Sequence, residues 1–176
     1  MVITDLSQYI RNIPDFPKKG IVFRDITTLL RDKDALKYAL NELYNFVKDN
    51  KIDKVVGVES RGFVFGGLLA EKLDAGFVPI RKPGKLPGDT IKETYVLEYG
   101  VDSIEIHSDA IKSGDKVLMH DDLLATGGTM EAACKLVEKL GGEIIQVSFL
   151  VELAFLNGRE KLTKYDVRSL ISYDSE

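Results

Sequence analysis

Short runs of apolar, often β-branched residues alternate along the chain with segments of helical periodicity. The apolar runs predict strands at residues 54–58, 77–80, 116–120, 144–153 and 167–171. Helical spacing between them predicts helices at residues 34–49, 62–73 and 129–140. Such βαβ alternation is typical of an α/β protein, in which helices cover both faces of a mainly parallel sheet.

Two details refine these elements. Asp34 is the predicted N-cap of the first helix, whose buried stripe is predicted to contain Leu36, Leu40, Leu43 and Val47. Pro79 lies in the second strand, and proline cannot donate to a β-ladder, so this position favours a strand end or an edge of the sheet.

The pattern is interrupted at residues 81–94, where cations, prolines and glycines occur without an apolar period. This stretch predicts a basic loop, and long loops in compact domains are commonly active-site lids or disordered segments. Alternation returns at Val96 and Leu97, and again at residues 104–106, which predicts an antiparallel ribbon after the loop. A solvated loop with no task remains the alternative for residues 81–94.

Composition bounds the class of protein. The 176 residues are 44% apolar and 30% charged, which suits one domain spanning residues 1–176. A formal net charge of -4 disfavours nucleic acid as a partner. The single cysteine, Cys134, excludes an internal disulfide and fits a reducing compartment. No apolar run of ~18 residues or signal-peptide pattern occurs, so we expect a cytoplasmic protein without a membrane partner.

The strongest chemical signal lies at residues 117–129. A buried strand leads into Asp121 and Asp122, and a small-residue loop then leads into a helix. Backbone amides at such a helix N-terminus bind phosphate, while neighbouring carboxylates accept hydrogen bonds from sugar hydroxyls. A sugar phosphate such as ribose 5-phosphate fits this spacing. The candidate phosphate-binding residues are Ala125, Thr126, Gly127, Gly128 and Thr129.

A second strand-to-helix turn lies at residues 57–63. Loops at the carboxyl ends of parallel strands face the same crevice, so we expect this turn beside the first one. Arg61 offers a planar guanidinium for phosphate oxygens, and the amides of residues 60–62 add donors, so this turn suits pyrophosphate.

The segment at residues 117–129 resembles the phosphoribosyl-pyrophosphate (PRPP) binding motif of the type I phosphoribosyltransferases. His120 departs from that motif, which usually has an aliphatic residue there; a packed core histidine is the simpler interpretation. The resemblance implies the fold of that family: a central, mainly parallel sheet flanked by helices, with a small N-terminal hood at about residues 1–30 and a flexible lid loop.

Further stretches resemble the adenine-specific members of this family, in the same order and at similar spacing. They lie at residues 13–17, 20–27, 59–63, 81–88, 95–100, 151–153 and 158–162. The resemblance implies transfer of ribose 5-phosphate from PRPP to adenine, giving AMP and pyrophosphate, a purine salvage reaction. It also implies Mg²⁺ carried by PRPP, near Asp121 and Asp122 and without a dedicated protein site, and a homodimer.

The resemblance also implies roles for individual residues. For adenine, Phe23 would stack on one face, Val22 and Arg24 would contact the base edge through the main chain, and Leu153 would close the other face. Asp121 and Asp122 would hold the ribose hydroxyls. Glu98 would donate a proton near N7 of the base, and Arg61 and Lys85 would assist catalysis. The implied pyrophosphate-binding residues are Ser60, Arg61, Arg81 and Lys85, with Lys82 in the same basic loop.

Two alternatives stay open at this point. Another purine phosphoribosyltransferase, for instance one specific for xanthine, would share the PRPP motif, although residues 23–24 resemble the adenine enzymes. A regulatory protein that binds PRPP or AMP without chemistry would share the phosphate loop.

Overall fold

The computed structural model describes Ile3 and residues 5–96 and 100–176. The strands are β1 (Arg11–Pro14), β2 (Val22–Asp25), β3 (Lys54–Val58), β4 (Gly76–Ile80), β5 (Thr90–Val96), β6 (Val101–His107), β7 (Lys116–Leu124), β8 (Glu143–Leu153) and β9 (Val167–Tyr173). The helices are α1 (Thr27–Arg31), α2 (Lys33–Asn45), α3 (Gly62–Lys72) and α4 (Gly128–Lys139). Short 3-10 turns occupy Leu6–Tyr9, Ala154–Leu156 and Gly158–Leu162.

The central sheet confirms the predicted α/β class. Its five strands are all parallel and lie in the order β4-β3-β7-β8-β9. The chain runs outward from β3 to β4 and then returns to place β7 on the other side of β3. This reversal makes a crevice at the carboxyl ends of β3 and β7, where ligands bind in sheets of this kind. Pro79 lies on the edge strand β4, as its missing amide predicted.

Apolar side chains fill both faces of the sheet. Leu118 and Met119 follow each other in β7, and both are fully buried, because one joins the core under α2 and α3 and the other the core under α4. Burial on both faces explains why the strands have continuous apolar runs instead of alternation.

Two antiparallel pairs flank this sheet. The β1-β2 hairpin forms the predicted hood segment, and β5-β6 forms the predicted ribbon. The carboxylate of Asp25 fixes the end of the hairpin by accepting from the Thr27 amide at 2.9 Å and from Arg11 Nη2 at 2.5 Å. The Thr27 amide and the Arg11 guanidinium together lower the pKa of Asp25 to about 2, although burial opposes the shift.

The first predicted helix is shorter and starts earlier than its pattern indicated. Asp32, not Asp34, is the N-cap, because its Oδ1 accepts from the amides of Asp34 at 3.0 Å and Ala35 at 2.9 Å. The α-helix stops at Asn45; the amides of Phe46 and Val47 then bond to carbonyls three positions back and tighten the chain into turns.

The buried face of α2 also differs from the predicted stripe. Leu43 and Val47 are buried, but the fully buried positions near the helix start are Ala35 and Ala39, while Leu36 and Leu40 flank them half-buried. Two alanines mark the line of contact because their small side chains let the helix approach its neighbours closely.

The predicted basic loop is shorter than residues 81–94, because β5 already begins at Thr90. In β5 the inward-facing positions are Ile91, Glu93 and Tyr95. Because Glu93 is polar, the apolar alternation of the strand is not visible in the sequence; its carboxylate pairs with Lys139 of α4 at 2.5 Å. The loop proper therefore covers residues 81–89.

Strand β7 is longer than predicted and continues through both aspartates to Leu124. The other predicted strands and helices are confirmed with bounds shifted by one or two residues. The longest helix in the described part of the chain has 13 residues, too short and too polar to cross a bilayer.

Candidate functional site

The crevice between the carboxyl ends of β3 and β7 opens into a cleft of about 440 Å³. It collects side chains from the hood, from both strand ends, from the ribbon and from the start of α4. The residues that line it are Phe23, Val58, Glu59, Ser60, Arg61, Lys82, Tyr95, Ile104, Asp121, Asp122, Leu123 and Thr129. The two turns that the sequence predicted to be neighbours are therefore brought together.

The loop between β7 and α4 presents backbone amides to this side of the sheet. Among the described residues, none of the amides of Thr126–Thr129 donates a hydrogen bond. These are the first donors of α4, where the helix dipole favours an anion. A smaller cavity of about 80 Å³ lies against the loop, lined in part by Ala125, Thr126 and Gly127. The loop therefore has the donors and the space that a phosphate group needs.

Glycine is required at the turn of this loop. Gly127 has φ +79°, in the left-handed region, and a Cβ atom there would lie 2.4 Å from the carbonyl oxygen of Gly158. A residue with a side chain at this position would collide with the backbone of Gly158. Thr129 places its hydroxyl at the cleft and donates to Tyr95 Oη at 3.2 Å.

The two aspartates lie close to Arg61 but differ in their surroundings. Asp122 is buried, and its Oδ2 lies 2.8 Å from Arg61 Nε. That contact is an ion pair without hydrogen-bond geometry, so Oδ2 accepts no hydrogen bond within the described structure. Asp121 is less buried and accepts the Asp122 amide at 2.8 Å. A buried acceptor that faces the cleft is suited to a hydroxyl donor of a ligand.

Burial dominates the charge state of this pair. It raises the pKa of Asp121 well above its usual range, and the neighbouring Asp122 carboxylate raises it further. Burial also raises the pKa of Asp122, while the Arg61 guanidinium opposes the rise. A cation or a donor that binds between the two acids would favour their ionised forms.

The cations of the basic loop are held by carboxylates at the edge of the cleft. Glu59, which has a 7% exposed side chain, accepts from Arg81 Nε at 2.7 Å and from Lys85 Nζ at 2.9 Å. Burial raises the pKa of Glu59, but the hydrogen bonds from Lys85 and Arg81 outweigh it and lower the value. Lys82 instead pairs with Asp102, and its ammonium group also lies 3.2 Å from Tyr95 Oη.

Glu59 is a residue to which the sequence analysis gave no role. Its position directly before Ser60 and Arg61, at the end of a buried strand, is the local signal that could have indicated one. Because Glu59 bridges the end of β3 to the start of the basic loop, it sets where Arg81 and Lys85 lie relative to Arg61.

The hood places Phe23 at the mouth of the cleft. Its ring centroid lies 5.0 Å from the Arg61 guanidinium carbon and 5.2 Å from the ring of Phe16, which packs edge-on. The Arg24 side chain points into the protein, where it stacks on Tyr173 at 4.0 Å and donates to Asn12 Oδ1 at 2.7 Å. The Arg24 side chain is therefore engaged within the protein, and of the hood residues named from the resemblance only Phe23 lines the cleft.

Leu153 is not among the residues that line the cleft. It ends β8, the second strand from β3, and pairs in register with Tyr173 of β9. Since Arg24 stacks on that same tyrosine, the hood strand β2 lies over the ends of β8 and β9. Glu98 lies outside the described residues.

His120 is packed in the core and does not face the cleft. It is fully buried, its Nδ1 lies 2.9 Å from Ser148 Oγ, and its Nε2 has no hydrogen-bond partner among the described residues. Burial lowers the pKa of His120 to about 3, so the ring is neutral at physiological pH. The packed-histidine interpretation fits this environment.

Known proteins resemble this chain over nearly its whole length. The family model described as phosphoribosyl transferase domain matches residues 25–174. An adenine phosphoribosyltransferase of Christiangramia forsetii is 62% identical over 169 residues, which cover 96% of this chain and 99% of the relative.

Solved structures agree with this match. The adenine phosphoribosyltransferase of Thermoanaerobacter pseudethanolicus superposes with a TM-score of 0.93 at 53% identity, covering 96% of this chain and 98% of that one. The Saccharomyces cerevisiae enzyme, in complex with an imino-altritol bisphosphate and adenine, gives a TM-score of 0.88 at 42% identity, covering 93% of this chain and 95% of that one.

The buried His120 predicts a specific loss of stability in acid. An unfolded histidine takes up a proton near pH 6.5, whereas folded His120 does so only near pH 3. Between these values the unfolded state binds more protons, so the free energy of unfolding falls as pH decreases, by up to about 1.4 kcal/mol per pH unit from this residue. Urea denaturation at pH 7 and pH 4.5 should show a smaller decrease for His120→Asn than for the wild type; equal decreases would contradict the assignment.

Proposed function

The chain belongs to the adenine phosphoribosyltransferase family, and from that premise we propose how its residues join adenine to PRPP to give AMP and pyrophosphate. The family match confirms the resemblance found in the sequence and the fold that it implied. One structural observation carries the proposal: the amides of Thr126–Thr129, which donate to nothing among the described residues, come shortly after Asp122 in the chain, whose buried Oδ2 accepts no hydrogen bond there, and Asp122 and Thr129 line the same cleft. A phosphate donor set next to a hydroxyl acceptor suits a ribose phosphate.

In this proposal PRPP binds at the two strand-to-helix turns. The amides of Ala125–Thr129 and the threonine hydroxyls bind the 5'-phosphate, while Asp121 and Asp122 accept hydrogen bonds from the ribose hydroxyls. Ser60 and Arg61 bind the pyrophosphate group at the start of α3. Phosphate at one turn and pyrophosphate at the other would hold the ribose across the crevice.

The basic loop supplies further positive charge to the leaving group. Arg81 and Lys85 pair with Glu59 in the structure described above, so pyrophosphate must share these cations with that carboxylate or take them over. Arg61 and Lys85 then stabilise the negative charge that develops as pyrophosphate departs. Movement of residues 81–89 over the bound substrate is part of the proposal, since a lid excludes water from the reaction.

The hood supplies the base site in this proposal. Phe23 stacks on adenine, the main chain of Val22 and Arg24 contacts its edge, and Leu153 closes the slot from the end of β8. An aromatic face and an aliphatic side chain contribute apolar contact of a few kcal/mol to a flat purine, by roughly 25 cal/mol for each Å² buried.

The reaction replaces one bond at C1' of the ribose with another. The bond from C1' to the pyrophosphate oxygen breaks, adenine N9 bonds to C1', and the departing pyrophosphate takes the proton that N9 loses. The transition state is oxocarbenium-like by analogy with glycoside chemistry, so positioning and exclusion of water dominate. Glu98, if protonated, donates to N7 and offsets the charge on the ring.

Mg²⁺ is proposed to enter with PRPP. Within the described residues no group of three or more His, Cys, Asp or Glu side chains could enclose a metal ion. The paired acids Asp121 and Asp122, with the buried Oδ2 of Asp122 lacking a hydrogen-bond donor, fit a cation that keeps its other ligands on substrate and water. Bound there, it would neutralise part of the pyrophosphate charge.

We further propose a cytoplasmic protein built as one domain, residues 1–176, with the hood at its start. The compartment is supported by the cysteine content, since a chain whose one cysteine is Cys134 forms no internal disulfide.

A homodimer is also part of the proposal, and the outer face of α3 with edge strand β4 is the surface that fits it. Helix α3 is apolar on nearly all sides, yet Val64 is 39% exposed and Phe77 of β4 is 37% exposed. Phe63 packs edge-on against Phe77 at 5.7 Å and continues the patch. A second copy of the chain would cover this apolar face and the free edge of β4.

Sedimentation velocity at micromolar concentration tests the dimer. We expect a dimer for the wild type and a monomer for Val64→Lys, because a charge at the patch centre would be buried without a partner. Lys37→Glu on α2 is the control and should leave the dimer intact. A monomeric wild type, or a dimer unaffected by Val64→Lys, would contradict this surface.

Initial rates with PRPP, Mg²⁺ and each of adenine, hypoxanthine, guanine and xanthine test the acceptor base. We expect kcat/KM for adenine to exceed that for each oxopurine by about 100-fold or more. A site that forms hydrogen bonds to one base leaves its own polar groups unpaired when a different base binds. A preference for an oxopurine would overturn adenine as the acceptor but would leave the proposal of phosphoribosyl transfer intact. Absence of pyrophosphate release with all four bases would favour the regulatory alternative.

Replacement of Asp122 by alanine tests the ribose site. Loss of a charged hydrogen-bond acceptor costs about 1.5–3 kcal/mol, so kcat/KM for PRPP should fall by about 10- to 100-fold while the far-ultraviolet circular dichroism spectrum stays unchanged. Asp49→Ala, at an exposed carboxylate beyond α2, is the matched control and should retain wild-type kinetics. Unchanged kinetics for Asp122→Ala would remove this residue from the site.

A further inference from the structure

Residues 158–162 carry a stretch that resembles the family but has no role in the site described so far. After β8 the chain makes two short turns, Ala154–Leu156 and Gly158–Leu162, before it enters β9. The second turn lies against the phosphate-binding loop: a Cβ atom on Gly158 would lie 2.2 Å from the carbonyl oxygen of Ala125. With the reciprocal contact of Gly127, the two backbones touch at a point where neither can carry a side chain.

This contact matters because the loop has few restraints of its own. The amides of Thr126–Thr129 bond to nothing within the described chain, so hydrogen bonds from these donors do not fix the shape of the loop. Its curvature must come from the ends of β7 and α4 and from the surface on which it lies. At Ala125 and Gly127 that surface is the backbone of Gly158, while Gly128 lies near Tyr95 and Lys161.

Gly158 is itself held by the residue that follows it. The Arg159 guanidinium binds the Glu152 carboxylate with both ends of its fork, Nε to Oε1 at 2.6 Å and Nη2 to Oε2 at 2.7 Å. It also donates to the Val167 carbonyl at 2.8 Å and to Ser169 Oγ at 2.7 Å. Arg159 thus ties the turn to β8 and β9 at once, with the bidentate geometry that lysine cannot reproduce.

Both ends of the turn are fixed in this way. The Glu152 side chain is only 6% exposed, and both of its carboxylate oxygens accept hydrogen bonds, from Arg159 and from the Ser169 hydroxyl. At the far end, Leu162 is fully buried in the core under α4. A short turn anchored by an ion pair to a buried carboxylate and by a buried leucine is rigid enough to act as a wall.

We propose that the turn Gly158–Leu162 is the rigid back wall of the 5'-phosphate site, with Arg159 as a positioning residue. Arg159 touches no substrate; it fixes Gly158, and Gly158 fixes the curvature of Ala125–Gly127 so that the amides converge on one phosphate group. The inference rests on the proposed function, because it assumes that the loop binds the 5'-phosphate of the ribose.

Gly158→Ala is the direct test. Its methyl group would meet the Ala125 carbonyl oxygen far inside van der Waals contact, and because that atom is backbone, the loop must move. Calorimetric titration should show at least tenfold weaker binding of ribose 5-phosphate, with adenine and pyrophosphate affinities unchanged. Gly76→Ala is the matched control: its methyl group meets only the flexible Lys54 side chain at the opposite end of the sheet, and all three affinities should stay at wild-type values.

Arg159→Gln is the second variant, in case Gly158→Ala does not fold. This substitution should also weaken binding of ribose 5-phosphate without weakening binding of adenine or pyrophosphate, and it should raise KM for PRPP more than it lowers kcat. Lys164→Gln, which breaks the exposed pair with Glu138, controls for the loss of a nearby ion pair. A merely structural role for Arg159 would lower the melting temperature and leave the affinity of the folded protein for ribose 5-phosphate unchanged, and that result overturns the proposal.

The outcome is distinguishable from a failure of the proposed function. If the wild type forms AMP and binds ribose 5-phosphate while both variants bind it equally well, the role proposed for Gly158–Leu162 is wrong and the proposed transferase function is unaffected. If the wild type binds no ribose 5-phosphate, the proposed site fails and the wall fails with it. Loss of pyrophosphate affinity in the variants, with ribose 5-phosphate affinity unchanged, would also overturn the assignment.

Discussion

The site depends on a set of backbone amides that find no acceptor anywhere in the described part of the chain. A helix always begins with donors that it cannot satisfy itself, and most proteins cap them with a side chain. Here α4 starts at glycine, the N-cap residue Gly127 makes no side-chain cap, and among the described residues the amides of Thr126–Thr129 have no acceptor, with a small cavity lying against the loop. In the proposed function the 5'-phosphate is the cap, so ligand binding completes a hydrogen-bonding pattern that folding leaves open.

Charge in the rest of the crevice is arranged as pairs that a ligand can rearrange. Arg61 lies against Asp122, Arg81 and Lys85 lie against Glu59, and Lys82 lies against Asp102. Each pair keeps a cation near the cleft and limits the repulsion that several free cations would cause. A substrate with many negative charges exchanges these partners, and in the proposal the carboxylates left behind face ribose hydroxyls and a substrate-borne cation.

The sequence predicts those parts of the molecule that depend on local patterns. Continuous runs such as Val55–Val58 mark strands buried on both faces, and the run from Asp121 to Thr129 predicts an anion loop at a helix start. Contacts between distant segments leave no such mark. Asp32 caps α2 in place of Asp34, Glu93 hides the alternation of β5 because its partner lies on α4, and the backbone contact of Gly127 with Gly158 joins two elements that no periodicity connects.

The chemical shifts of the backbone amides report most directly on whether the phosphate loop binds as described. In a nitrogen-proton correlation spectrum titrated with ribose 5-phosphate, the account predicts that the amide signals of Thr126–Thr129 shift most, with Ser60 affected only when pyrophosphate is added. Saturable shifts centred elsewhere on the sheet, with residues 126–129 unchanged, would contradict it.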